Sequence, residues 1–229
     1  MALQYNKITQ PLINDLPSLN KQLVLLCNEI ESNFKQSLDS LFNRNNDLAH
    51  KTINAMPLID EMEIAIEQEC LRLLFIHNNP VNLRYLVAIL RINQHLEDIA
   101  RLSKNIAQST IILNEYDPIH IPSTLTEMAD ITKNMVYQSL NTLVNLNKID
   151  IKDAYAIIKT DDYVDNLHQS IYHTMAVLIQ DNTNQAETAM EWTSISKMLE
   201  RIADACTNII ENLLFIAEGK VIRHPNKIE

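Results

Sequence analysis

The 229 residues carry 19 lysines and arginines against 29 aspartates and glutamates, a formal net charge of -10, with 46% hydrophobic and 21% charged residues. This balance belongs to a globular chain rather than a disordered one, and its negative field repels phosphate backbones, so no nucleic acid partner is expected. A single glycine, Gly219, argues against hairpin-rich β folds, whose tight turns need positive φ. Three scattered cysteines without a CxxC pair fit a reducing cytosol. The N-terminus lacks the order of a secretion signal, and no apolar run approaches the roughly 20 residues of a membrane span, so any membrane association is expected to be indirect.

Apolar periodicity predicts an all-α protein with six helices, at 15–44, 46–78, 80–114, 124–146, 150–180 and 184–218. Pro11, Pro17, Pro80, Pro118 and Pro122 fall between these or in a first turn. Pro57 is the exception and predicts a kink or irregular turn in the second helix, because it lacks a backbone donor and clashes with the preceding turn. The two prolines of Tyr116 to Ser123 disfavour continued helix and mark the boundary between halves, with Ser123 placed to cap the fourth helix.

The halves repeat each other. Leu96-Glu97-Asp98-Ile99-Ala100 and Leu199-Glu200-Arg201-Ile202-Ala203 match at the same offset as Asn105-Ile106 and Asn208-Ile209, the 103 residues from Glu97 to Glu200. That period is one three-helix unit, too long for a helix-pair solenoid. The expected architecture is two tandem, pseudo-symmetric antiparallel three-helix bundles, at 1–118 and 119–229.

In the last helix Ile195, Met198, Leu199, Ile202, Cys206, Ile209, Ile210 and Leu213 share one face and predict core. At about 100° per residue, Glu200, Asp204, Asn208 and Glu211 lie within about 80° of each other, almost opposite that face. Carboxylates four residues apart repel by a few tenths of a kcal/mol, a tension that flanking Lys197 and Arg201 soften and that a bound cation would relieve. Carboxylate and amide oxygens are hard ligands suited to magnesium, manganese, calcium or iron. From spacing alone a solvated face is the simpler reading. Asp161 and Asp165, also four apart, edge the apolar face of the preceding helix, where they would complete a site between two helices.

Leu199-Glu200-Arg201-Ile202-Ala203-Asp204, Thr207-Asn208-Ile209-Ile210-Glu211, Gly219 and Val221-Ile222-Arg223-His224 resemble the C-terminal signature of the PhoU family. Glu67 through Leu74, Pro80-Val81, Leu83-Arg84 and Ile92 through Glu97 are similar to the family's first unit. The resemblance implies a cytoplasmic, non-enzymatic regulator of phosphate uptake and phosphate-responsive signalling, peripheral to the inner membrane through its partners. Those partners would be the ATPase subunit of the phosphate ABC transporter and a sensor histidine kinase, and the protein itself a homodimer.

It also implies E/DxxxD motifs holding a multinuclear cluster of iron, manganese, magnesium or zinc. Asp161, Asp165, Glu200 and Asp204 match those motifs in the second unit, extended by Asn208 and Glu211. The first unit departs from the pattern and is expected to hold a weakened site at Asp60, Glu97 and Asn105. Arg101 stands where an aspartate is expected, Met56 where an acid precedes Asp60, and Gln108 where the second unit has Glu211. Ala100 and Ala203 replace the family's usual glycines, and Asn82 replaces an acid. A metal-storage protein of the same fold and a metal-free helical scaffold are the alternatives.

Other constellations are weaker. Asp47-His50, Asp117-His120 and Asp165-His168 give Asp-x-x-His rather than the Glu-x-x-His of a ferritin-like centre. His95 reads as a packed or edge histidine, Cys206 as an inert core thiol, and Trp192 and Phe215 as core or interface. No glycine-rich phosphate loop or strand-borne nucleophile is present.

Overall fold

The computed structural model describes residues 10–77, 79–117, 121–146 and 150–219, with side chains from Asp15 onward. These residues form α1 (Gln10–Phe42), α2 (Asn46–Asn54), α3 (Met56–Ile76), α4 (Pro80–Leu113), α5 (Ser123–Val144), α6 (Ile151–Asp181) and α7 (Ala186–Glu218), with a 3-10 turn at Thr183–Gln185. No strand occurs among them. The expected six-helix order holds, with the second helix divided at Ala55 into α2 and α3. Pro57 sits in the first turn of α3, where its missing donor costs least.

Side chains set the helix starts. Asn45 accepts from the Leu48 amide at 3.0 Å, Asn79 from Val81 and Asn82 at 3.1 and 3.0 Å, and Asp150 from Lys152 at 2.7 Å. Each occupies a donor that the helix leaves free. Two expectations need correction. α1 begins at Gln10 rather than at residue 15, so Pro17 lies beyond its first turn rather than within it; the apolar face through Leu16, Leu19 and Leu23 is buried and holds the helix across the missing bond. Ser123 is the first helical residue, not the cap. Pro122 takes the cap position, and its carbonyl accepts from Leu125 at 2.9 Å.

Helices α1, α3 and α4 pack together as one three-helix unit, and α5, α6 and α7 as the second. The units join broadly along α4 and α7, and again along α1 and α5, so one core runs through both. Buried alanines line the joining helices, Ala88, Ala100 and Ala107 on α4 and Ala189, Ala203 and Ala205 on α7. Such small side chains let helices approach closely. The expected boundary at 118/119 lies outside the described residues.

Candidate metal centre

Helices α6 and α7 pack side by side, and their shared margin gathers the acids of the second unit. On α6 the buried stripe Ile157, Val164, Leu167, Ile171 and Met175 fixes the rotation of the helix. Asp161 and Asp165 are thereby half-buried at its edge. On α7 the buried Ile195, Leu199, Ile202, Cys206 and Ile209 do the same. Glu200 is then only 13% exposed, Asp204 is exposed, and Asn208 and Glu211 are half-buried. The predicted stripe is thus less outward than helix geometry alone gave, because α6 covers one side of it.

The charges of the two pairs act on each other across α6 and α7. The Asp161 carboxyl is pushed up to about 7, first by burial and then by the charges of Asp204, Asp165, Asp162 and Glu200. Asp204, although its side chain reaches solvent, is raised by partial desolvation against its neighbours and then by Glu200 and Asp165, against the pull of Lys197 and Arg201. Asp165 is raised by burial, Glu200 and Asp162, with Lys197 and His168 opposing. The Oδ1 atom of Asp161 is buried without a hydrogen-bond partner. The Lys197 ammonium lies 2.7 Å from Glu200 and answers part of the surplus charge.

Asn208 is tied to this group through the backbone. The Asn208 side chain donates to the Asp204 carbonyl at 2.8 Å, which turns its amide nitrogen along the helix.

Sequence reasoning missed one neighbour of the cluster, Asp162, and weighed another, His168, only as half of an Asp-x-x-His pair. Asp162 adds charge to both Asp161 and Asp165. His168, three residues beyond Asp165, is half-buried, and its Nδ1 lies 2.9 Å from the Ser196 hydroxyl. Burial holds its imidazole below the usual range, while Glu200 pulls the other way. The available signal was helical spacing, which places residues 161, 165 and 168 on one side of α6.

This donor set fits a hard or borderline divalent cation: four clustered carboxylates repel one another in the metal-free state, and one buried oxygen lacks a partner. Among the described residues no three histidine, cysteine, aspartate or glutamate side chains already stand together as an ion-holding set. These residues could hold an ion only after their side chains reorient and Lys197 leaves Glu200.

The first unit is built differently. Arg101 forms an ion pair with Glu97, whose Oε2 also accepts from Gln94 at 2.7 Å. Asp60 and Gln108 are exposed, Asn105 is half-buried, and Met56 is core. Glu63 is raised by burial and by Asp60, with Arg101 lowering it. A guanidinium thus occupies the acidic margin that α7 leaves to carboxylates.

The remaining candidates are structural. Cys206 is fully buried, and its thiol is pushed up to about 12 by burial. His95 lies at a helix margin with Nδ1 3.8 Å from Asp98. Trp192 is core, while Phe215 lies under the Arg84 guanidinium, 5.8 Å from its ring centre. His120 and the segment Val221 to His224 lie outside the described residues.

Comparison with known proteins agrees with this architecture. The PhoU domain model matches residues 23–110 and again 125–213. The chain is 28% identical over 194 residues to the phosphate-specific transport system accessory protein PhoU homolog 1 of Thermotoga maritima, covering 83% of this chain and 82% of that one. The crystal structure of PhoU from Pseudomonas aeruginosa superposes with a TM-score of 0.86 at 20% identity, covering 90% of this chain and 99% of the other. That of the phosphate transport system regulatory protein PhoU from Streptococcus pneumoniae does so at 0.82 and 21%, over 91% and 98%. With both of its three-helix units matching that domain, the chain belongs to the PhoU family.

Proposed function

We propose that this protein is a non-enzymatic, metal-binding regulator of phosphate uptake and phosphate-responsive signalling. It works in the cytoplasm as an adaptor between the ATPase subunit of a phosphate ABC transporter and a sensor histidine kinase. The carrying observation is the pair of PhoU domains spanning nearly all of the helical core, together with relatives named for the phosphate-specific transport system. An adaptor needs surface rather than a pocket, and α3 supplies an apolar stripe of Ile64, Leu71 and Phe75, the last 89% exposed. A cation held by Asp161, Asp165, Glu200 and Asp204, extended by Asn208 and Glu211, would neutralise the acidic margin of α6 and α7 and stiffen the pairing of those helices. The Glu97–Arg101 pair supplies an internal cation in the first unit, which supports one competent site rather than two.

Deleting the gene tests the reading. Phosphate uptake and a phosphate-responsive reporter should both rise in phosphate-rich medium and return to normal on expression of the wild-type chain. Unchanged uptake and reporter in the deletion strain would overturn it.

A further inference from the structure

His168 belongs to no part of the carboxylate motif, yet it is set as metal-ligating histidines usually are. It follows Asp165 by three residues and Asp161 by seven, so all three project from one side of α6. Its Nδ1 lies 2.9 Å from the Oγ of Ser196, a fully buried residue of α7. That hydroxyl donates its proton to the Thr193 carbonyl at 2.8 Å. A serine has one proton to give, so toward the histidine its oxygen accepts, and Nδ1 carries the hydrogen. In the neutral ring the lone pair is then on Nε2, which makes no hydrogen bond among the described residues. A neutral imidazole whose tautomer is locked by a buried acceptor, beside a cluster of carboxylates, is the arrangement by which proteins orient nitrogen ligands.

We propose that His168 is a nitrogen ligand of the second-unit site through Nε2, with Ser196 as its positioning residue. The site thereby prefers iron(II), manganese(II) or zinc(II) over magnesium or calcium. The inference rests on the metal reading above and sharpens it: carboxylates alone suit magnesium and calcium, whereas an imidazole adds affinity for the transition ions. The first unit offers no equivalent nitrogen, since the residue three beyond Asp60 is Glu63.

The test uses the full chain stripped with chelator. Zinc and magnesium affinities are measured by competition for the wild type, His168→Gln and Ser196→Ala, with circular dichroism as the check on folding. Pulsed electron paramagnetic resonance on the manganese-loaded wild type looks for coupling to an imidazole nitrogen. The expected result is a nitrogen signal in the wild type, a zinc affinity lowered about 10- to 100-fold by Ser196→Ala and at least as much by His168→Gln, and an unchanged magnesium affinity. Manganese binding without nitrogen coupling, or unchanged zinc affinity in a folded His168→Gln, overturns the role of His168 and leaves the metal reading standing. A wild type that binds none of the ions overturns both.

Discussion

Asp161 has Asp162 and Asp165 beside it on α6, but the charges of Asp204 and Glu200 reach it from α7, a contribution that its local sequence does not show. In the metal-free protein its proton is held up to about pH 7, whereas the unfolded chain releases it near pH 4. Over that interval the folded state binds the extra proton, so this contribution to stability falls as pH rises. Denaturant titrations of chelated protein at pH 5 and pH 7.5 should show the wild type weaker at the higher pH, and Asp161→Asn should flatten the difference.

Arg44 shows the same limit in the backbone. It takes a left-handed conformation at φ 50, the turn between α1 and α2, and its guanidinium donates to the Leu113 carbonyl at 3.1 Å and the Tyr116 carbonyl at 2.9 Å. Arg44→Ala keeps the strain and loses both bonds, for an expected loss of roughly 1–2 kcal/mol. Arg44→Gly also loses them but relieves about 1 kcal/mol of strain, so it should be the more stable of the two in urea denaturation. Equal stability of the two variants would contradict this account.

At the scale of elements, hydrophobic periodicity identified every long helix, because a buried stripe repeats whatever packs against it. Ends were less legible. Pro17 reads as a helix start, yet the apolar face continues on both sides of it and α1 runs through. The break at Pro57 was visible because proline acts locally. The end of α7 was visible too, since Gly219 is the sole glycine and takes φ 73 with its amide donating to Phe215. What covers it was not. A Cβ added there would run into Nη1 of Arg84, a residue of the other unit. Gly219→Ala should therefore cost about 1–2 kcal/mol, from the left-handed backbone and from displacing Arg84 off Phe215. Chemical denaturation measures it, and an alanine variant as stable as wild type would exclude the arrangement.

For the whole molecule, the internal repeat carried most of the fold, since two copies of one helical unit leave few ways to arrange the chain. The broad junction of α4 with α7 was not legible, because the buried alanines on both helices look like ordinary helix formers. A core continuous across that junction implies that neither unit unfolds alone. Urea unfolding followed by tryptophan fluorescence, which reports on Trp192 in the second unit, and by circular dichroism, which reports on both, should give coincident single transitions.

The same repeat explains why the units differ in chemistry: the scaffold tolerates either charge on the outer margin, so Arg101 and Asp204 each fit without altering the core. Equilibrium dialysis of the full chain against manganese, with bound metal quantified, tests this asymmetry most directly. The wild type and Asp60→Asn/Glu97→Gln should bind manganese alike, and Asp161→Asn/Asp204→Asn should lose it. Equal binding by Asp161→Asn/Asp204→Asn, or loss confined to Asp60→Asn/Glu97→Gln, would contradict the account.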